Sequence, residues 1–481
     1  MNAQPSPQPN SYSFTEPTPW RKSMGHVLLG MALCTLTLRF LWLDYLLPAI
    51  GMVLSLWGFR ALRRENNWFQ GCFVLAVLKI SVTVPILIGN TTVLPEMLRD
   101  TPIPFALTVL GTLLPLAEAF CLWRALCAAQ CAVNRPPHAR AAALLTLWYA
   151  FLIILALMQA SSLLLVGGFF VIYFVLLHRV KRLVTELETA GYAVCPAPVR
   201  VSDGQIALAL SAVLVLGGGL GYLFGGSVPM DWHAMETSDE HAEIRAHLLE
   251  LGFPEAVLND LTPEDLAACD GALRVAVHTD EYPARLTQSP YMDSHDEYTV
   301  KELRLTGVGV QLPGEWERWM IFHHFAWLAD PAFYGVESLH ILPAYYASEW
   351  NPDGTPTGQV LYDRDGRTFA APYYALDHQT THAQDFFGSV RTAPSIFASF
   401  SLPKQSARCR GYVAYPIAET VNIPTIVYSS LNYTHQRGWI QYPVVADPAQ
   451  RGSYWNQNSL FLTIQNILRF YSTESGIDVL S

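Results

Sequence analysis

Apolar residues crowd the first half of this 481-residue chain and polar residues the second, with the change near Gly226. The longest uncharged run, Ala141 to Leu177, extends over 37 residues. A helix needs about 20 apolar residues to cross the roughly 30 Å hydrocarbon layer of a bilayer. By that measure Met24–Phe59 is too long for one crossing. Arg39 and Asp44 interrupt it and Pro48 follows, which predicts two spans, about 24–41 and 44–60, joined by a turn. Trp68–Gly89 reads as a third span and Ile103–Gln130 as a fourth. As one helix the long uncharged run would measure about 55 Å. It is therefore expected to fold back near Gln159-Ala160-Ser161-Ser162, forming the fifth and sixth spans. Gln205–Ser227 is the seventh.

Beyond Pro229 the pattern changes twice. Ser238 with Asp239 and Glu240, then Pro254, then Thr262-Pro263-Glu264-Asp265, are helix-start signals, because hydroxyls cap orphan amides and acids complement the helix dipole. They predict three short helices between about 238 and 270, with Gly252 ending the first. From Ala272 the period becomes alternating, as in strands. Strands are expected at Val300–Val310, Trp319–Trp327, Ser338–Tyr346, Val360–Tyr362, Thr368–Tyr373, Ser395–Leu402, Arg410–Tyr415 and Thr425–Leu431. Pro313-Gly314, Pro352-Asp353-Gly354, Asp365-Gly366 and Arg437-Gly438 supply turns between them. Many short strands with such turns favour a β-sandwich or jelly roll. A last helix is expected near Ser459–Tyr471. The fold class is thus α+β: a seven-helix transmembrane bundle, a short helical segment, and a β-sandwich-like extracytoplasmic domain. The expected divisions are a disordered tail (1–22), the membrane domain (23–228), a helical module or linker (229–272) and the β-rich domain (273–481).

Charge sets the expected orientation. Up to Val228 there are 15 Lys+Arg against 9 Asp+Glu, and from Pro229 onward 15 against 31. Basic clusters mark the cytoplasmic side of membrane proteins. With seven spans, Arg21/Lys22, Arg60/Arg63/Arg64, Arg135/Arg140 and Arg179/Lys181/Arg182/Arg200 all fall on one side. That side is then cytoplasmic, the chain belongs to the cytoplasmic membrane, and the C-terminal domain is extracytoplasmic. The acidic second half argues against nucleic acid, whose phosphates need clustered cations. The apolar-half cysteines read as buried small side chains; Cys269 and Cys409 could pair outside the cell.

Candidate chemistry is sparse. Lys79 and Glu118 lie inside spans, where a lone charge costs about 2.5–3.5 kcal/mol or more. They are expected to pair, either structurally or as part of an ion path. Gly217, Gly221 and Gly225 recur every four residues in the last span and allow close helix approach, within the bundle or in a homodimer. His378 and His382, with Asp385, have the spacing of one helical face, but Gln379 stands where a zinc peptidase needs Glu, so a metal is not expected. His323 and His324 are adjacent on a strand and should face opposite ways. Asp363-Arg364-Asp365-Gly366 reads as a hairpin turn rather than a calcium loop. Tyr345, Tyr346, Trp350, Tyr373 and Tyr374 flank turns and form a candidate binding rim for carbohydrate, peptide or protein. No nucleophile elbow, phosphate loop or dinucleotide fingerprint appears, and no cofactor is expected.

Leu251-Gly252-Phe253 resembles the loop of ubiquitin-associated three-helix domains, a function that an exterior location contradicts. The overall layout resembles bacterial membrane proteins of unassigned role. The leading expectation is a non-enzymatic membrane protein whose outer domain binds, senses or assembles. A transporter or export component is the alternative, and an exterior hydrolase ranks third.

Overall fold

The computed structural model describes residues 18–36, 43–99, 101–158, 163–235, 241–283, 301–329, 331–347, 350–384, 390–419, 426–436, 438, 440, 442–444, 461–473 and 476–480. They form two compact units: one of residues up to Leu87 with Arg99–Val215, the other of Ile88–Leu98, Leu216–Asp385 and Ser389–Ser481.

The first unit is helical. The helices are α1 (Pro19–Thr35), α2 (Leu43–Leu62), α3 (Asn67–Gly89), α5 (Ile103–Ala132), α6 (Arg140–Leu157), α7 (Leu163–Thr189) and α8 (Asp203–Phe224); the last residues of α3, a one-turn α4 (Leu94–Met97) and α8 from Leu216 belong to the second unit. Four of these, α2, α3, α5 and α8, are long and apolar enough to cross a membrane. That count covers the described residues alone: α1 has 17 residues, and α6 and α7 flank residues 159–162, which are not described. The expected fold-back at Gln159–Ser162 and the α1–α2 turn lie outside the described residues. Thr18 caps α1 by accepting from the Arg21 amide, and Pro19 occupies the first turn, where its missing N–H costs nothing. Small residues set the α1–α2 approach. A Cβ on Gly51 would lie 2.6 Å from the Gly30 carbonyl, and one on Gly58 2.6 Å from that of Ser23.

The basic segments converge. Thr18 donates to Glu188 (2.5 Å), and the Trp20 indole donates to the Val184 carbonyl (3.0 Å). Arg60 bonds Asp203 (3.0 Å), and Arg63 bonds the Pro198 carbonyl (2.8 Å). The chain before α1 thus meets the end of α7, and the end of α2 meets the α7–α8 connection.

The second unit holds two antiparallel sheets. Its strands are β1 (His233–Ala234), β2 (Arg274–Tyr282), β3 (Leu303–Leu312), β4 (Arg318–Trp327), β5 (Glu337–Leu342), β6 (Trp350–Pro352), β7 (Thr357–Arg364), β8 (Arg367–Pro372), β9 (Ala375–Gln384), β10 (Val390–Phe400), β11 (Ala407–Glu419), β12 (Ile426–Gln436), β13 (Phe461–Thr473) and β14 (Gly476–Val479). One sheet runs β1-β8-β7-β11-β4-β3-β2, with β6 also on β11; the other runs β14-β13-β12-β5-β10-β9. Side chains from both enclose one core, including Trp319, Phe325, Leu339, Phe400, Tyr433 and Phe470. Glycines let the layers close: a Cβ on Gly309 would lie 2.6 Å from the Phe470 ring, and one on Gly307 2.8 Å from Leu468. Asp365 and Gly366 both take positive φ (52° and 73°) and make the two-residue β7–β8 hairpin.

The three short helices are α9 (Ala242–Glu250), α10 (Glu255–Leu258) and α11 (Pro263–Ala267). Thr262 caps α11 through the Asp265 amide, as its sequence signals. The Ser238 cap lies outside the described residues, and Gly252 closes α9 at φ +90°. These helices are no separate linker. Leu248, Phe253, Leu258 and Leu266 share a core with Val308, Met320, Phe322 and Tyr412 of the first sheet. The division expected at 272/273 therefore runs through that core.

Three further expectations change. The last helix is strand β13, where Leu462, Ile464, Asn466, Leu468 and Phe470 are buried and their alternates are not. That is period two, and the opposing sheet selects it. His378 and His382, given the spacing of one helical face, lie instead on strand β9, hydrogen-bonded to β10 along its length. Cys269 and Cys409 are free thiols, in the cores on opposite faces of the first sheet.

Candidate functional site

Two places concentrate polar chemistry, one in each unit. In the helical unit Lys79 of α3 meets Glu118 of α5 at 2.7 Å. Glu118 is 1% exposed, and its Oε1 has no hydrogen-bond partner among the described residues. Tyr149 and Tyr173 lie hydroxyl to hydroxyl at 3.2 Å, and Tyr173 bonds the Met31 carbonyl (2.9 Å). Cys34 and Tyr149 lie within electrostatic reach of Glu118. The two charges expected to pair from the sequence thus meet as an ion pair.

The second place is a cleft of about 770 Å³ beneath the α9–α11 helices, lined by Arg245, Asn259, Asp260, Arg367, Thr368 and Arg410, with His241 at the start of α9. Asp260 is 3% exposed in the α10–α11 turn. Its carboxylate accepts from Arg410 Nε (2.8 Å) and meets His324 Nε2 (2.9 Å). Arg410 also donates to Asp363 (3.0 Å). A bulge aims it there: the β7–β11 register shifts between Ala407 and Arg410, and Arg408 takes φ +50°. Burial opposes the Arg410 charge, but the Asp260 and Asp363 carboxylates outweigh it and raise the pKa. Behind this, Asp265 accepts from Thr357 (2.6 Å) and from the Tyr412 hydroxyl. Burial, then the neighbouring Asp265 charge, push that phenol far above its ordinary range. Arg367 is exposed and has no side-chain partner among the described residues, and Arg245 uses one nitrogen on Asn259 (2.8 Å). Such forked donors suit a carboxylate or phosphate.

His323 and His324 do face opposite ways. His324 reaches Asp260, whereas His323 is buried against Ser429 (2.7 Å). Burial lowers the His323 pKa to about 3, so the ring is a neutral core group. The expected aromatic rim does not assemble. Tyr345, Trp350 and Tyr373 are in the core, 8%, 2% and 7% exposed. Tyr374 is half-buried in a small cluster with Val93 and Val444, leaving Tyr346 exposed. The His378/His382/Asp385 set fares no better. On strand β9, residues four apart lie about 13 Å from one another, too far to share an ion. His378 bonds the Tyr345 hydroxyl (2.8 Å), and Asp385 lies outside the described residues.

The glycine stripe of α8 is filled by the chain itself. A Cβ on Gly217 would lie 2.6 Å from Ile88, one on Gly225 2.7 Å from Thr92, and one on Gly221 would strike Thr91. The dimer-face alternative has no space along that stripe.

Sequence reading missed Asp260, Arg410 and the buried Glu337, which accepts from Tyr433 (2.9 Å) and the Gln436 amide (3.2 Å). Only Thr262-Pro263-Glu264-Asp265 signalled part of the cleft, and it signalled a helix start. No protein-family model matches the chain, and no curated protein matches it either.

Proposed function

We propose that this is a multi-pass membrane protein of the bacterial cytoplasmic membrane, with seven crossings, whose β-sandwich-like domain is extracytoplasmic and recognises a small anionic ligand. The carrying observation is the cleft. In a region of net charge −16, its lining gathers Arg245, Arg367 and Arg410 against one carboxylate, Asp260. A carboxylate- or phosphate-bearing sugar or peptide has the matching chemistry.

Orientation rests on charge and connectivity. Helices α3 and α8 each begin beside a basic segment and end among residues of the β unit. The end of α3 and the end of α8 join where the Val93 amide donates to the Gly225 carbonyl (2.7 Å). If the basic segments are cytoplasmic, both helix ends and the domain that follows them lie outside.

Two measurements test this reading. In a chain keeping Cys195 alone, a membrane-impermeant maleimide should label only after lysis, because Cys195 is exposed among the basic segments. With Trp316→Cys as the single cysteine, on an exposed β3–β4 turn, it should label intact cells. The reverse pattern defeats the orientation. For the ligand, phosphate, glucuronate and an acidic peptide are titrated into the 229–481 fragment. Saturable binding lost in Arg245→Ala/Arg367→Ala supports the cleft; no binding of any of them up to millimolar concentration removes it.

The transporter reading keeps one specific observation in its favour, the unpartnered Glu118 oxygen beside Lys79. It requires that Glu118→Gln abolish flux in a fully assembled protein.

A further inference from the structure

Helix α7 presents two faces. Tyr173, Leu176, Leu177, Val180, Val184 and Leu187 are buried in the helical core, at three- and four-residue spacing. The other face runs through Val171, Phe174, Val175, His178, Arg179 and Arg182, all exposed. Along one continuous stripe it passes from apolar to basic. A shallow groove of about 590 Å³ follows it, and a second, of about 380 Å³, adjoins at Arg179 and Arg182.

The second groove is built by the connection between α5 and α6. Gln130, itself buried, accepts from the Ala139 amide through its side chain (2.8 Å) and from the Arg135 amide through its carbonyl (2.9 Å). Asn134 and Ala139 take positive φ (53° and 33°), which fixes the turn. Arg135 and Arg140 are thereby held on defined backbone beside Arg179, and α6 begins there with the positive end of its dipole. Arg135, Arg140 and Arg179 have no ion-pair partner among the described residues. Glu186 is the one acid lining the groove, and Arg182 pairs with it at 3.2 Å.

We propose that this stripe is a binding site for one anionic phospholipid. Its phosphate would lie among Arg135, Arg140 and Arg179, and an acyl chain along Val171, Phe174 and Val175. The apolar groove continuous with the arginines selects a lipid over a free phosphate. Basic pockets between membrane helices are known to hold anionic headgroups. The inference does not depend on what the outer domain recognises.

The test is retention of lipid by the purified full chain in detergent, read by native mass spectrometry. Phosphatidylglycerol and phosphatidylcholine with the same acyl chains are compared. The expected result is a preference for phosphatidylglycerol of about tenfold or more, with about fivefold lost for each arginine removed in Arg135→Gln and Arg179→Gln. Arg21→Gln/Arg200→Gln, basic positions outside the grooves, should keep the preference. Arg179→Lys should keep most of it, which separates lost charge from lost folding. Equal retention of the two lipids overturns the proposal. So does an equal loss in the Arg21/Arg200 control, which would mean diffuse attraction, or displacement of the lipid by glycerol phosphate at matching concentration.

Discussion

Replacing Asp260 with alanine should unfold the β-rich domain more readily than any surface change, and the cost follows from its contacts. The Asp260 side chain is 4% exposed and holds His324, 3% exposed, and Arg410, 20% exposed. Removing one partner of a buried charge pair costs about 3–5 kcal/mol. Arg410 keeps Asp363 at 3.0 Å and part of its hydration, so its share lies near about 3 kcal/mol. The stranded His324 nitrogen adds about 1 kcal/mol. The total is roughly 4 kcal/mol, and Asp260→Asn, which retains an acceptor, should lose about half of it. The assay is urea unfolding of the 229–481 fragment followed by tryptophan fluorescence. With a slope near 2 kcal/mol/M, Asp260→Ala should lower the midpoint by about 2 M. Arg367→Ala, exposed and unpartnered, should shift it by under about 0.3 M. An Asp260→Ala midpoint as close to the parent as that of Arg367→Ala would refute the idea that this carboxylate ties the helices to the sheet.

Other outcomes follow from the same contacts. Burial lowers His323 to about 3 and His340 to about 4, so the unfolded chain binds more protons than the folded one below about pH 6.5. Stability should then fall as pH drops from about 6.5 towards those values, by roughly 2 kcal/mol per histidine between pH 7.5 and 5. Urea midpoints at the two pH values measure it, and His340→Gln should shrink the loss; a flat profile disproves it. A fragment cut at 273 should bind the dye ANS and unfold without cooperativity, since it loses the helices that cover Val308, Met320 and Phe322, whereas 229–481 should not. If Lys79 and Glu118 form a structural pair, Glu118→Leu should lower thermal stability in detergent sharply, and adding Lys79→Met should restore most of it. No recovery in the double variant argues against a purely structural pair. Gly221→Leu should destabilise the full chain by driving a side chain into Thr91, seen as a lowered melting temperature.

Hydrophobic patterning located the long helices and the change to strands, and Pro, Gly and Asp signals located most of the turns. These are local properties. Span length, the Thr262 cap and the Asp365-Gly366 hairpin depend on neighbours in sequence, and the chain's own covalent geometry enforces them. Even the Lys79–Glu118 pairing was legible, because two charges in hydrocarbon leave each other few alternatives. Segments whose form depends on distant partners were not legible. Residues 461–473 carry enough apolar side chains for a helix, but pairing with β12 holds them as a strand, and the facing Gly307 and Gly309 make room for Leu468 and Phe470. The tyrosines and tryptophans beside turns looked like a rim, because burial is decided by what folds over them. The cleft was invisible for the same reason: Asp260, Arg410 and Arg367 lie far apart in the chain. A β-bulge, a helix turn and a hairpin bring them together, and only the closed sheet fixes all three at once.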